Sequence, residues 1–458
     1  MTSVNQEPAP CSSDGAIQVT GSADKTRRPR WLVISHSFNM DGRAASQTVT
    51  DKLQYLDKAG VDVVVISAIM GYHDRQVEHH QLLPWGPSGL RFDFRHLMSK
   101  RFGKGVIYRL TTVLVSLLLL PFMLVERLLF GLTHHSSWSL PAARKGIELI
   151  RQSEFELVYS AGSAWSAHLA AAWIKAATGI KWIAEIHDPM IIRDDAEDDG
   201  TRARDSRTDR FAQRLETRIC NEADHVWWFT QAACDYALLR NPGLRDKGFL
   251  VYPGAEAPEV AAPYVRGETL NICHFGSLTD DRSLAPVLVA LQKLVQHHPA
   301  MQQQIRLHLY GANLDDNSRQ VNDDERVASM IIEHGRLEHD PTTGLSGRAR
   351  VTQKMFEADV LLLLHGDSEW CAEYIPSKYY EYLWAQRPLL ALTNRNAQFD
   401  QLLADRNTYL AGTLDLGSIE VILMDVWNDW TQDQLRRPAG DPVSVESAVN
   451  RIIEQVQR

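Results

Sequence analysis

Glu373 and Glu381, separated by seven residues, stand on either side of the segment Pro376-Ser377-Lys378. A proline in the first turn of a helix loses nothing by lacking an N–H, so a helix is expected to start here. Tyr379, Tyr380, Leu383 and Trp384 recur at the spacing of its buried face. Ser377 and Lys378 then lie at a helix N-terminus, where free amides and the dipole favour an anion. Lys378 adds a point charge suited to phosphate. Carboxylates flanking an anion site suit a ligand with hydroxyl groups on both sides of a diphosphate, one set from a sugar and one from a ribose. Taken singly, the two glutamates read as solvated carboxylates; beside Pro-Ser-Lys and an upstream apolar strand, the ligand role is favoured.

A second anion site is expected in FGSLTDDRS (275–283), where a strand runs into Gly276-Ser277 and then a helix start carrying Arg282. Glycine allows close backbone approach and arginine can grip a phosphate with two bonds. A surface ion pair is the competing role for Arg282. The matching turn nearer the N-terminus is HSFNMDGRAAS (36–46), with Gly42 before a helix and Arg43 after it. His187 follows the apolar run in WIAEIHDP (182–189) and is a candidate to reach a ligand, with a hydrogen-bonded core histidine as the alternative.

These residues need a frame that brings them together. WLVIS (31–35), DVVVIS (62–67), ELVYS (156–160), KWIAEI (181–186), HVWWF (225–229) and FLVY (249–252) are near-continuous apolar runs separated by helical patterns. Such runs are expected of parallel strands covered on both faces. The rhythm restarts after a proline-containing stretch with NICHFG (271–276), QIRLHLYG (304–311), ADVLLLLH (358–365), PLLAL (388–392) and TYLA (408–411). The expectation is α/β, two Rossmann-like doubly wound domains facing a central cleft at the carboxyl ends of both sheets. Expected bounds are a disordered leader at 1–30, a first domain at 31–255, a linker at 256–269, a second domain at 270–425 and terminal helices at 426–458.

The 458 residues are 44% hydrophobic and 23% charged, as in ordinary globular proteins. A net charge of −9 spread over mixed-sign segments argues against a nucleic-acid partner. The five cysteines are dispersed, with no C-x-x-C pair, which fits a reducing compartment and argues against structural zinc. No secretory signal is read at the start, so a cytoplasmic location is expected. The Asp-Asp pairs read as solvated loops and no D-x-D triplet occurs, so no metal is expected.

One apolar run stands out, TTVLVSLLLLPFMLV (111–125), too short by itself for the roughly 20 residues of a membrane span. Residues 91–109 upstream carry six basic side chains against Asp93 alone. An apolar helix with a basic flank is expected to lie in the plane of an anionic leaflet, within a membrane-associating segment at 91–132. A buried helical hairpin is the alternative.

In Gly42, WIAEIHDP, FGSLTDDR and the Glu373/Glu381 pair, the chain resembles the retaining, nucleotide-sugar-dependent, family-four-like glycosyltransferases of GT-B fold that build bacterial surface polysaccharides. The resemblance runs over about residues 31 to 425. It implies that Glu381 binds the donor ribose, Glu373 the donor sugar, and Arg282 and Lys378 the diphosphate. His187 would reach the sugar from the first domain. It also implies retention by same-face attack without a dedicated base, and no cofactor beyond the nucleotide-sugar substrate. A lipid-linked or oligosaccharide acceptor, a capsule or lipopolysaccharide pathway and the inner face of the cytoplasmic membrane would follow. The chain departs from the family at Ser283 to Val287, which lack the lysine often found after the arginine; Lys378 would replace its charge. A nucleotide-sugar epimerase and a catalytically silent membrane-bound scaffold are the rival readings.

Overall fold

The computed structural model describes residues 28–40, 43–103, 105–130, 136–162, 164–191, 207–258, 263–311 and 313–458. Most of the expected leader lies outside them, as does Gly42.

Seven parallel strands form the first sheet: β1 (Arg30–Ile34), β2 (Asp62–Ala68), β3 (Glu78–Leu82), β4 (Leu157–Gly162), β5 (Lys181–Ile186), β6 (His225–Trp228) and β7 (Gly248–Leu250). Their spatial order is β3-β2-β1-β4-β5-β6-β7. Six more, also parallel, form the second: β8 (Leu270–Phe275), β9 (Ile305–Tyr310), β10 (Ile331–Gly335), β11 (Val360–Leu364), β12 (Leu389–Thr393) and β13 (Tyr409–Gly412), in the order β10-β9-β8-β11-β12-β13. Strand order reverses between β1 and β4 and again between β8 and β11. Ligands of doubly wound sheets bind at such switch points.

The apolar runs are explained by burial on both faces. Leu32 and Ile34 enter one core layer of the first sheet, while Trp31 and Val33 enter the other. In the second sheet Leu270 and Ile272 face one layer, and Cys273 and Phe275 the opposite one. Two strands carry no such signal, EHHQL of β3 and IIEHG of β10. Both are edge strands, paired on one side only and partly open to solvent.

The C-terminal helix Val445–Gln457 packs on the first sheet, not the second. Its Val445, Val449, Ile452 and Val456 share a core layer with Trp31, Leu157, Ile183 and Trp227. The preceding helix, Leu416–Thr431, runs across position 425 and covers the second sheet with Ile419, Leu423 and Val426.

The apolar run near residue 111 belongs to a longer element than expected. Its helix is Val106–Phe130, 25 residues, and Val106–Leu128 is long and apolar enough to cross a membrane. It is not a core helix: Leu110, Leu114, Leu117, Leu118, Phe122 and Val125 are all exposed. It pairs as a hairpin with the basic helix Pro87–Phe102, whose Phe92 packs against the first core while the apolar side chains of Val106–Phe130 stay exposed. Arg91 Nε donates to Ser116 Oγ at 2.8 Å, and the Glu126 carboxylate accepts from Ser88 N–H at 2.9 Å.

Candidate functional site

The loops after β8 and β11 leave the second sheet side by side at its switch point. Gly276 has φ +141, a backbone conformation for glycine, and its N–H donates to the Tyr310 carbonyl at 2.9 Å. Gly366 has φ +114, and a Cβ there would stand 2.8 Å from the Asp281 carbonyl oxygen. That same carbonyl accepts from Asp367 N–H at 2.8 Å. The turn bearing Arg282 is therefore pressed against the loop that leads to Glu373.

Arg282 does not open the next helix. Its backbone pairs with Thr279 in a tight turn, and the helix starts at Ala285. Asp315 is the cause: its carboxylate accepts from Ser283 Oγ at 2.6 Å and Leu284 N–H at 3.3 Å, holding both ahead of the first turn. Asp315 itself is buried, where a solvated loop residue was expected. Ser277 is exposed beside the turn.

The charges of two cations, Arg282 and Lys378, are felt at one imidazole. His274 is buried in β8, and its Nδ1–H donates to the Leu362 carbonyl at 3.2 Å. Burial lowers its pKa to about 4, and the charges of Arg282 and Lys378 push the same way. His365, just after β11, is likewise lowered to about 4 by burial, with Arg282 adding to the effect. Both rings are thus neutral at pH 7, and the cluster's positive charge resides on Arg282 and Lys378.

Helix Ser377–Ala385 supplies Lys378. Pro376 precedes it with extended backbone, and Gln386 ends it at φ 52. Tyr379, Tyr380, Tyr382 and Leu383 are buried, whereas Trp384 is half-buried and donates its Nε1–H to the Ala255 carbonyl at 2.8 Å. Ser377 is exposed and caps nothing. On the open face Lys378 Nζ donates to Glu381 Oε2 at 2.6 Å. The two residues expected to hold separate parts of a ligand hold each other. A partly exposed pair of this kind is worth about 0–1 kcal/mol, so a ligand can displace it at little cost.

Glu373 is not a loop carboxylate in water. It ends the short turn Glu369–Glu373, is buried, and its carbonyl accepts from Thr230 Oγ1 of the first domain at 2.6 Å. Burial would lower the pKa of Arg240, but Glu216 and, more weakly, Glu373 hold it raised. Glu373 thus sits where the two domains meet.

From the first domain, the turn after β5 brings His187 to the same junction; the charge of neighbouring Asp188 is felt by Tyr374, next to Glu373. His187 Nε2–H donates to Glu185 Oε1 at 2.7 Å, and its ring packs on Phe229 with centroids 4.7 Å apart. Glu185 is fully buried and accepts four bonds: the others come from Lys52 Nζ at 3.0 Å, Tyr159 Oη at 2.7 Å and Trp227 Nε1 at 2.9 Å. Burial alone would raise its pKa; Lys52, His187 and Tyr159 reverse this and hold it at about 2.

Glu381 also borders an interdomain cavity of about 400 Å³ with Asp51, Gln54, Glu256, Arg348 and Trp384. Arg348 clasps Asp51 across the domains with bonds of 3.1 and 2.9 Å. The Glu381 charge is felt at Arg348.

The structure therefore groups Gly276, Arg282, Lys378 and Glu381 at the switch point of the second sheet, and His187 with Glu373 at the domain junction. Gly42 lies outside the described residues, and Arg43 caps the helix Ala44–Thr50 with extended backbone. Sequence reasoning missed His274, His365, Lys52 and Glu185. A glutamate inside an otherwise apolar central strand was the available signal, because a buried charge must be paired.

No protein-family model and no curated protein sequence matches the chain. Solved structures do. Sucrose-phosphate synthase from Thermosynechococcus elongatus aligns over 94% of each chain at 11% identity, TM-score 0.54. A point mutant of S. aureus TarM in complex with fondaparinux, α-GlcNAc-glycerol and UDP aligns over 93% of this chain and 96% of its own at 10% identity, TM-score 0.56. The E. coli trehalose-6-phosphate structure bound with UDP-2-fluoro glucose aligns over 93% and 96% at 11% identity, TM-score 0.55. Across nearly its whole length, then, the chain has the GT-B fold: two Rossmann-like, doubly wound α/β domains.

Proposed function

We propose that the protein is a glycosyltransferase that moves a sugar from a nucleotide-sugar donor to a saccharide acceptor. The observation that carries this reading is that the charges of Arg282 and Lys378 are both felt at the buried His274 of the second sheet's switch point, with Glu381 paired to Lys378. A nucleoside diphosphate fits that arrangement. Its phosphates meet both cations, and its ribose hydroxyls take over the Glu381 carboxylate as Lys378 turns to phosphate. Glu373 and His187 border the sugar at the junction, and the acceptor enters from the first domain.

Glycosyl transfer breaks the bond between the anomeric carbon and the diphosphate oxygen, so the developing charge must be stabilised. Two cations beside a helix N-terminus supply that without a metal. Transfer with retention follows a same-face course: the acceptor oxygen bonds the anomeric carbon as the departing phosphate oxygen takes its proton. The exposed apolar helix Val106–Phe130 and its basic partner favour a protein held on an anionic membrane surface, with a lipid-linked acceptor. Its place would be the cytoplasmic face of the membrane, in assembly of a cell-surface polysaccharide.

A thermal-shift screen against UDP, GDP, ADP, CMP and their sugar conjugates, without added metal, tests the donor site. One nucleotide should raise the Tm by a few degrees, since about hundredfold excess over Kd adds about 2.7 kcal/mol. Glu381→Ala should remove the shift. No shift with any nucleotide sinks the reading in favour of a silent scaffold; consumption of a nucleotide sugar without acceptor, giving an isomer, would favour an epimerase.

A further inference from the structure

The hairpin is seated at one particular place on the first domain. Its helix Pro87–Phe102 lies on the loops that leave the carboxyl ends of β1 and β2, the end of a doubly wound sheet where ligands bind. Phe92 reaches the first core, and its ring stacks on that of buried His36 with centroids 6.4 Å apart. His36 prolongs the pairing of β1, its carbonyl accepting from Ala68 N–H at 3.2 Å. Asp93, His96 and Lys100 recur at helical spacing. Asp93 Oδ1 lies 3.7 Å from His36 Nε2. Lys100 Nζ donates to the Gly71 carbonyl at 2.8 Å and stands 3.9 Å from the Tyr72 ring centroid. The two loops are themselves locked together. Tyr72 N–H donates to the Asn39 carbonyl at 2.8 Å, and a Cβ at Gly71 would collide with the Phe38 carbonyl oxygen. One helix thus touches the ligand-binding end of the first sheet and also carries the exposed apolar helix.

Cations without carboxylates stand along this seam. Arg43 is exposed in the turn after β1 and Arg95 lies on the hairpin helix; neither has an ion pair among the described residues. The Arg95 guanidinium lies 5.7 Å from the Phe92 ring centroid. His96 shares that ring, at 4.5 Å, and its Nδ1–H donates to the Phe92 carbonyl at 3.0 Å. Burial lowers the pKa of His96, and the charges of Arg43 and Arg95 push the same way. The imidazole therefore stays neutral, and both arginines act on it from different elements. Like charges brought together in this way repel unless an anion lies between them. A guanidinium fork matches phosphate with two bonds. Arg43 is the informative one, because it belongs to the turn after β1 and not to the hairpin, so attraction to bulk headgroups does not call for it.

We propose that Arg43 and Arg95 form a phosphate site for the acceptor, a saccharide joined to a lipid tail through phosphate or diphosphate. The tail lies along the helix Val106–Phe130 and the saccharide points into the cleft. The hairpin is then a wall of the acceptor site as well as a membrane contact. Calling the ligand the acceptor rests on the transferase reading; the phosphate site does not.

The test is flotation of the full-length protein with phosphatidylcholine vesicles carrying geranylgeranyl diphosphate or phosphatidylglycerol, at equal surface charge and without nucleotide. Wild type should prefer the diphosphate vesicles. Arg43→Gln and Arg95→Gln should each cut that preference roughly tenfold, as expected for a lost charge-assisted contact. Arg127→Gln, on the apolar helix, removes the same charge. It should weaken both bindings alike and leave the preference intact. Melting temperatures in solution check the fold; should Arg95→Gln disturb the hairpin, Arg43→Gln, outside it, decides alone.

Equal binding of wild type to both vesicles overturns the proposal and leaves these cations to ordinary headgroups. A preference unchanged in either folded variant overturns it too, as does an equal loss in Arg127→Gln, which would show charge density alone. None of these results touches the transferase reading, which is decided by the nucleotide screen. A preference that obeys the variants, in a protein that answers no nucleotide, keeps the phosphate site and overturns only the acceptor role of its ligand.

Discussion

Asp93 shows how much one side chain owes to its surroundings. It is the lone acidic residue in the basic stretch 91–109 and sits on the hairpin helix Pro87–Phe102. It is buried, and His36 Nε2, at 3.7 Å, is beyond hydrogen-bond reach of its carboxylate. Burial pushes its pKa up from 3.8 to about 7. Between those values the folded chain keeps a proton that the unfolded chain has released, so stability falls as pH rises through this window. Asp93→Asn removes the titration. The variant should match wild type near pH 4 and exceed it by about 2–4 kcal/mol at pH 8, read from denaturant unfolding at both pH values. Equal gains at both would show that the carboxyl charge is not the cause.

At the scale of elements, the hairpin formed by helices Pro87–Phe102 and Val106–Phe130 leaves an apolar face exposed. Twenty-five helical residues span about 37 Å, enough to cross a bilayer core. Yet the partner helix is tied alongside through Arg91–Ser116 and the Glu126 cap, and it carries Arg91, Arg95, Lys100 and Arg101. A crossing would drag those charges into hydrocarbon, whereas an in-plane hairpin leaves them at the headgroups. We expect the protein to float with vesicles containing phosphatidylglycerol, and less with phosphatidylcholine alone. Replacing Leu114, Leu117 and Leu118 by serine should lower that partition more than tenfold, at ~1.5–3 kcal/mol for each leucine removed from lipid. Their exposure predicts an unchanged melting temperature in solution. Unaltered flotation would refute the hairpin as the contact.

Across the whole molecule, the chain ends by returning to where it began. Val445, Val449, Ile452 and Val456 complete the core of the first sheet, and Lys181 Nζ donates to the Val456 carbonyl. Those four side chains contribute roughly 6–12 kcal/mol at ~1.5–3 each, comparable with the 5–15 kcal/mol stability of a typical domain. Ending the chain at residue 440 should therefore leave the first domain unfolded or aggregated while the second keeps its core. Limited proteolysis should then spare a fragment containing 270–431 and degrade 31–255; protection of both would show that the helix is dispensable. Contacts across the domains at Asp51–Arg348 and Thr230–Glu373 join the two halves beside the cleft.

Strand positions and the two-domain architecture were legible because central parallel strands must be apolar on both faces, which leaves an unbroken signature in Trp31–Ser35 or Val360–Leu364. Edge strands β3 and β10, relieved of that demand, were not legible. Local rules placed Lys378 at a helix start and put glycine where φ is +141. They could not foresee that Lys378 would pair with Glu381, that Asp315 would pull Arg282 out of the helix start, or that Lys52 would reach Glu185 from 133 residues away. In the sequence the apolar run ends at Arg109 and Glu126, because a charge there has no direction. Only packing shows that Glu126 turns to cap a neighbouring helix. Sequence alone determines backbone preference and burial periodicity, which act over a few residues; the partners of each charge are decided by tertiary structure, because they arrive from distant parts of the chain.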